Sequence, residues 1–173
     1  QVGNNYFLYN TSSGTGPELL YNKAPVTVGQ YTATPIGAVW VGGGGYDVAW
    51  KNTAGQYTVW SVDRNGNYLS SLFTAVSGTN TKLESLETTF NQDLNGDGVI
   101  GIYAAPGTTL KISNSLTGPS GSATIGAGAI LELSGANSSS VAFSSSTGML
   151  RLDSPSTFDG VIYNFTGNGK LSG

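Results

Sequence analysis

The sequence predicts a mainly β chain in two parts. The first is an antiparallel β-meander with one short helix and a loop rich in Asp, Asn and Gly, and the second is a short β-solenoid of about three coils. Three observations support this prediction: alternating apolar residues between turn signals, one helical pattern that leads into the loop, and a repeat about every 20 residues.

The composition restricts both partners and chemistry. Only 10% of the 173 residues are charged, the net charge is −3, and Gly numbers 26, so Ser, Thr, Asn and Gly must provide solubility. This balance is typical of secreted and surface proteins and predicts an extracellular or cell-surface location. Seven scattered basic residues argue against nucleic acid as a partner. No apolar run approaches about 18 residues, which argues against membrane insertion.

The absence of His and Cys also excludes several kinds of site. The usual catalytic triads, thiol nucleophiles and common zinc sites all need one of these residues. Any bound metal must therefore be held by oxygen atoms, which favours calcium or magnesium.

A change of composition near residues 104–107 predicts the domain boundary. All three Trp and eight of the nine Tyr precede it, whereas Gly, Ser, Thr, Ala and Leu dominate after it. We therefore predict a Trp/Tyr-rich β unit over 1–103, a linker over 104–107 and a repeat unit over 108–173.

The first unit is predicted to be an antiparallel meander followed by a helix. Asn65-Gly66 is the dipeptide favoured in type I′ hairpin turns. Leu83, Leu86 and Phe90 fall on one face of a helix predicted over 81–92. The predicted meander strands are YDVAW (46–50), YTVWSVD (57–63) and YLSSLF (68–73), and an earlier hairpin is predicted from NYFLYN (5–10) and PELLYN (17–22).

The second unit contains a repeat. LKIS (110–113), LELS (131–134), LRLD (150–153) and GKLS (169–172) recur at spacings of 21, 19 and 19 residues. Such spacing is typical of a β-solenoid whose coils stack over a shared apolar stripe, and a small sandwich of short strands is the alternative. Glu132 and Arg151 occupy equivalent outward positions, which predicts an ion pair between neighbouring repeats.

The stretch QDLNGDGVIG (92–101) carries oxygen-bearing side chains at alternate positions. Counting Asp93 as position 1 places Asn95 at 3, Asp97 at 5, a glycine at 6 and Val99 at 7. An EF-hand-type loop takes side-chain oxygens from 1, 3 and 5, turns at a glycine at 6 and uses the carbonyl of 7. The sequence therefore predicts one Ca²⁺ ion held by Asp93, Asn95, Asp97 and the Val99 carbonyl. A bare turn is the alternative.

One element of that loop is missing. Position 12, normally a bidentate Glu, is Ala104. Glu87 is predicted as a possible further ligand, with a solvated helix residue as the alternative and water as another source of ligand atoms, whereas Glu84 is expected to be a solvated helix residue. The stretch DRNGNY (63–68) imitates positions 1, 3 and 5 but lacks the glycine at 6, so a hairpin explains it better.

Residues 5–103 resemble a Trp-containing repeat of large secreted bacterial calcium-binding proteins of the hemolysin-type or RTX-associated class. The most specific parts of this resemblance are the Trp-centred meander and LESLETTFNQDLNGDGVIG (83–101). The loop is also similar to dockerin and EF-hand calcium loops. The segment that begins STGMLRLD looks like the β-helical repeat of autotransporters. These resemblances imply an extracellular modular protein without enzymatic activity.

The functional prediction is an extracellular, calcium-stabilised structural or adhesive module that is not an enzyme. Its expected partners are calcium and either further copies, forming a surface or matrix filament, or neighbouring modules of a larger protein. A carbohydrate-binding module, whose Tyr and Trp rings stack on glycans, is the first alternative. A polysaccharide-active or self-processing enzyme fragment is the second.

Overall fold

The computed structural model describes residues 2–113 and 122–166, which are mainly β with one α-helix. The chain forms two compact units, residues 1–83 and 84–173. This division lies earlier than the predicted linker at 104–107. The reason is that Ile102–Ala104 already forms a strand that pairs with Ser122–Ile125 of the second unit.

An antiparallel four-stranded sheet in the order β3-β4-β5-β6 organises the first unit. It confirms the predicted meander as β4, β5 and β6. The sheet also has a strand that was not predicted, β3, which contains Pro35 and lies at the edge, where proline is tolerated. The strands of this unit are β1 Leu20–Tyr21, β2 Ala24–Pro25, β3 Ala33–Gly42, β4 Gly45–Asn52, β5 Tyr57–Asp63 and β6 Tyr68–Val76.

The early hairpin is present as antiparallel backbone pairing. The Leu8 N–H donates to the Pro17 carbonyl at 2.9 Å, and the Leu19 N–H donates to the Tyr6 carbonyl at 2.8 Å. Leu8 and Leu19 are buried in the core of the unit as a result.

The turn between β5 and β6 is not the predicted type I′ turn. Only Gly66 has a positive φ in this turn, at 87°, and the Asp63 N–H donates to the Asn67 carbonyl, which makes a three-residue loop. The Asp63 carboxylate accepts the N–H groups of Asn65 and Asn67. A Cβ on Gly66 would lie 1.8 Å from the Glu18 carbonyl oxygen, so only glycine fits here.

The three tryptophans, although ten residues apart in sequence, occupy different environments. Trp50 is buried, and its ring centroid lies 4.8 Å from that of Trp60. Trp40 is 52% exposed and contacts Tyr46. The core that surrounds Trp50 consists of Leu8, Leu19, Val26, Val48 and Val62, with Tyr6, Tyr21, Ala33, Tyr46 and Trp60 packed against it.

The second unit contains two parallel sheets, in the orders β12-β10-β8 and β13-β11-β9-β7. Successive described strands alternate between the two sheets, and residues of both contribute to one hydrophobic core. The strands are β7 Ile102–Ala104, β8 Thr109–Ile112, β9 Ser122–Ile125, β10 Ile130–Leu133, β11 Ser140–Phe143, β12 Met149–Leu152 and β13 Ile162–Tyr163, and a 3₁₀ turn covers Pro155–Thr157.

Equivalent repeat positions align in register. Leu131 of β10 pairs with Leu110 of β8 and with Leu150 of β12. The fourth predicted repeat (169–172) lies outside the described residues. Within 84–113 and 122–166 the strands form two sheets rather than closed coils. The structure therefore establishes a mainly β unit with parallel strands, which is coarser than the predicted solenoid.

The predicted ion pair between neighbouring strands is present. Glu132 lies between two cations, with its Oε1 2.6 Å from Lys111 Nζ and its Oε2 3.5 Å from Arg151 Nη1. These three residues are register partners in β8, β10 and β12. The carboxylate of Glu132 thus links three strands.

Candidate functional site

The helix that precedes the candidate loop, α1, spans Thr81–Phe90, two residues fewer than predicted. Asn80 caps its start, because its Oδ1 accepts the Lys82 N–H at 3.0 Å. Asn91 has a left-handed φ of 50°, and the Gln92 N–H then donates to the Glu87 carbonyl. This is a common way to end a helix, and it directs the chain into residues 92–101.

Asp93 organises the first half of the loop. Its Oδ1 accepts the Gly96 N–H at 2.6 Å, and its Oδ2 accepts the Gly98 N–H at 2.8 Å. Gly98 has a φ of 87°, which suits the glycine that an EF-hand-type loop has at position 6. The Asp93 carboxylate therefore accepts two backbone N–H groups and holds this half of the loop in a tight turn.

Asn95 and Asp97 continue the same pattern at two-residue intervals. The Asn95 Oδ1 accepts the Asp97 N–H, and the Asp97 Oδ1 accepts the Val99 N–H, each at 2.8 Å. The Asn95 side-chain amide also donates to the Asp97 Oδ2 at 3.0 Å. Each of the three predicted side chains thus accepts a backbone N–H of the loop, and Asn95 also contacts Asp97.

Glu87, on α1, is fully buried and anchors the loop from inside. Its Oε1 accepts the N–H groups of Leu94 and Asn95, at 2.9 and 3.2 Å, and its Oε2 accepts the Gly101 N–H at 3.0 Å. Both carboxylate oxygens therefore bind the backbone, whereas the sequence predicts a possible metal ligand here. Burial raises the pKa of Glu87, and these three N–H groups oppose that shift.

Glu84 is also buried, at 2% exposure, so the expectation of a solvated helix residue is wrong. Its Oε2 accepts the Tyr103 N–H at 3.4 Å. Burial raises the pKa of Glu84 to about 7, the Tyr103 N–H opposes the shift, and the negative charges of Asp97 and Glu87 add to it.

The burial of these two carboxylates was not predicted, although the sequence contains a signal for it. Glu87 lies between Leu83 and Phe90 at spacings of four and three residues, on the same helical stripe. A carboxylate on an apolar stripe needs backbone donors when it is buried, and the glycine-rich loop supplies them.

The raised pKa of Glu84 predicts that the stability of the fold depends on pH. Its pKa in the folded chain, about 7, lies above its ordinary value of 4.5. The protonated side chain of Glu84 therefore contributes its full stabilisation below pH 4.5, and this stabilisation is lost as the pH rises through 7. With a chelator present, the Glu84→Gln variant should lose less stability than the wild type over this range, by up to about 3 kcal/mol. Urea unfolding at several pH values measures this, with exposed Asp159→Asn as control. Equal slopes for the wild type and Glu84→Gln would refute the prediction.

The donors of the loop are those that a hard cation prefers, but the set is small. Asp93, Asn95 and Asp97 supply side-chain oxygens, and Val99 supplies a carbonyl. At position 12, Ala104 ends strand β7 and has no ligand atom in its side chain. In 2–113 and 122–166, no three carboxylates come together in a group that could hold a metal. The geometry alone therefore does not identify a calcium loop.

No helix within the described ranges has the length and apolar character needed to cross a lipid bilayer.

The fold and loop thus define a tryptophan-rich β module that is joined through a helix and a polar loop to parallel strands. The family model described as the tryptophan-rich Synechocystis species C-terminal domain matches residues 1–101, and the chain belongs to this family. No curated protein and no solved structure matches the chain. The family match ends at Gly101, so it includes α1 and the loop and leaves out the parallel strands.

The family membership corrects the resemblance drawn from the sequence. Residues 1–101 match the tryptophan-rich domain and not an RTX-associated calcium repeat, and no match supports an autotransporter repeat in the rest of the chain. The resemblance rested on a Trp-centred meander and on an Asp/Asn/Gly loop, and these features do not by themselves identify a family.

Proposed function

We propose that this chain is an extracellular structural or adhesive module whose second unit is stabilised by one calcium ion in loop 93–99. The observation that carries the proposal is the pattern of loop hydrogen bonds, in which Asp93, Asn95 and Asp97 each accept backbone N–H groups of the loop that follows. This arrangement gathers their oxygens within a few residues. Asp93 and Asp97 carry like charges, which repel each other when no cation lies between them.

The proposed ligands are the side chains of Asp93, Asn95 and Asp97 together with the Val99 carbonyl. Water would complete the shell, because Ala104 cannot ligate and Glu87, unlike Asp93, is fully buried on the helix side of the loop with both oxygens bonded to backbone N–H groups. Calcium would supply the positive charge that offsets the repulsion between the loop carboxylates. Glu87 would hold the loop in shape from the helix side.

An extracellular location fits both the composition and the expected affinity. Extracellular calcium modules bind at about 10⁻⁴ to 10⁻³ M, which is useful only where calcium is abundant. A module that depends on such a loop would be more stable outside the cell, where calcium is abundant, than inside it.

We further propose that the parallel strands form part of a β-solenoid that associates with further copies. The alternation of strands between two sheets and the in-register leucines support this. Among the described residues, no strand pairs with the outer edges of β12 and β13. Val161, Ile162 and Tyr163 expose apolar surface at that edge. Sedimentation velocity across concentration tests it: reversible association weakened by Ile162→Lys supports the proposal, and a monomer at all concentrations overturns it.

Thermal melts in calcium, magnesium and chelator test the calcium proposal. At about 10 mM calcium the proposed affinity stabilises the fold by about 1.4–2.7 kcal/mol. This gain should disappear in Asp93→Ala and shrink in the conservative Asp97→Asn variant. Asp159→Ala, which removes an exposed carboxylate outside the loop, should keep it. A calcium effect that survives in both loop variants would exclude this site.

A further inference from the structure

An open groove lies on the first unit, away from the residues that carry the calcium proposal. It is lined by Phe7–Thr11, Ala38–Trp40 and Tyr46, and its volume is about 430 Å³. This volume falls within the roughly 300–1,000 Å³ typical of small-molecule sites.

Trp40 forms one wall of the groove, and its exposure sets it apart from the other two tryptophans. It faces Tyr46 across the β3–β4 pair, with ring centroids 4.9 Å apart and nearly perpendicular planes. Tyr46 itself packs against the core of the unit. The sheet therefore holds a large aromatic surface rigidly in solvent, where a Trp side chain forgoes much of its hydrophobic stabilisation.

The lining also contains a second aromatic pair. The ring centroids of Phe7 and Tyr9 lie 5.4 Å apart, while Leu8 between them is buried in the core. Asn10 begins the adjoining turn, and its Oδ1 accepts the Ser12 and Ser13 N–H groups. Its side-chain amide nitrogen is left as a donor at the rim of the groove.

The chemistry of the lining defines the ligand. No lining residue carries a charge, which disfavours phosphates, carboxylates and cationic ligands. Aromatic faces carry partial negative charge and attract the polarised C–H groups of a pyranose ring. The hydroxyls of Tyr9, Tyr46 and Thr11 and the Asn10 amide can bond to sugar hydroxyls. We propose that this groove binds a neutral saccharide that stacks on Trp40.

This binding site goes beyond the proposed structural role and does not depend on the calcium loop. A proline-rich peptide is the other neutral ligand that aromatic grooves accept. The polar groups that accompany the rings and the small volume of the groove favour a saccharide of one or a few residues over an extended peptide.

Titration calorimetry of the full chain tests the proposal with a panel of neutral tetrasaccharides: cellotetraose, maltotetraose, mannotetraose, xylotetraose and chitotetraose. A proline-rich decapeptide forms a separate arm. The variants are Trp40→Ala, Trp40→Phe and, as matched control, Leu69→Ala, which removes a 61% exposed apolar side chain from β6. Circular dichroism confirms the fold of each variant.

We expect saturable binding of at least one saccharide. Trp40→Ala should weaken it at least about tenfold, Trp40→Phe should weaken it less, and Leu69→Ala should leave it unchanged. If Trp40→Ala does not fold, the comparison of Trp40→Phe with Leu69→Ala decides. The proposal is overturned if no saccharide binds, if binding is the same without Trp40, or if only the peptide binds.

Discussion

Truncation of Leu131 to alanine should lower the free energy of unfolding of the second unit by about 2–5 kcal/mol. Leu131 is fully buried in β10, the central strand of its sheet, between Leu110 and Leu150. The backbone of a strand bonded on both sides cannot collapse into the cavity, so the cost should lie high in this range. Urea unfolding combined with hydrogen exchange at the amides of β8, β10 and β12 measures the loss.

Met149 provides the matched control for this truncation. It lies at the start of the neighbouring strand β12 and is 55% exposed, so Met149→Ala should change stability by less than about 0.5 kcal/mol. Equal effects of the two truncations would show that the repeat leucines do not form the core.

Replacement of Glu87 by alanine should destabilise the second unit by about 2–5 kcal/mol, because it leaves three backbone donors without their acceptor. The Leu94 and Gly101 N–H groups belong to buried residues, and each unmet donor costs about 1–3 kcal/mol. Hydrogen exchange should also show faster exchange at those two amides. Unfolding experiments in chelator separate this effect from any effect of calcium.

The conservative variant Glu87→Gln tests the acceptor role of Glu87 more specifically. A glutamine has one acceptor oxygen, so either Gly101 or the pair Leu94 and Asn95 must lose its partner. We expect a loss smaller than that of Glu87→Ala, whereas Glu84→Gln at a pH above 7 should be neutral or stabilising. If Glu87→Ala unfolds at the same urea concentration as the wild type, Glu87 does not anchor the loop.

Local sequence patterns predicted the strands and the helix whose own residues favour that conformation. The meander strands follow from alternating residues such as Tyr46, Val48 and Trp50, and α1 follows from Leu83 and Phe90. Repeat spacing correctly placed Glu132 next to Arg151, because register fixes side-chain neighbours in parallel strands.

Features that depend on tertiary contacts were not predicted. Strand β3 contains Pro35 and two glycines, and it forms because β4 offers a partner edge. The type of turn at Asn65-Gly66 depends on the close approach of Glu18, which no local pattern contains. The regular spacing of the tryptophans likewise did not reveal that Trp40 alone is largely exposed.

The ligand role of the loop side chains stays a prediction, and the residue that anchors the loop was not predicted. Asp93, Asn95 and Asp97 each accept a backbone N–H of the loop, and Asn95 also contacts Asp97. The sequence does not reveal that Glu87 anchors the loop, because its three backbone donors come from residues 7, 8 and 14 positions further along the chain.

A calcium titration followed by ¹⁵N–¹H correlation spectra tests the central proposal most directly, because it reports on each backbone amide. We predict saturable shifts in the loop, led by Gly96 and Gly98, whose N–H groups donate to Asp93. The apparent Kd should be about 10⁻⁴ to 10⁻³ M, and Asp93→Asn should weaken binding strongly. Spectra in which these amides do not respond to calcium, or respond equally in Asp93→Asn, would contradict a calcium-stabilised loop.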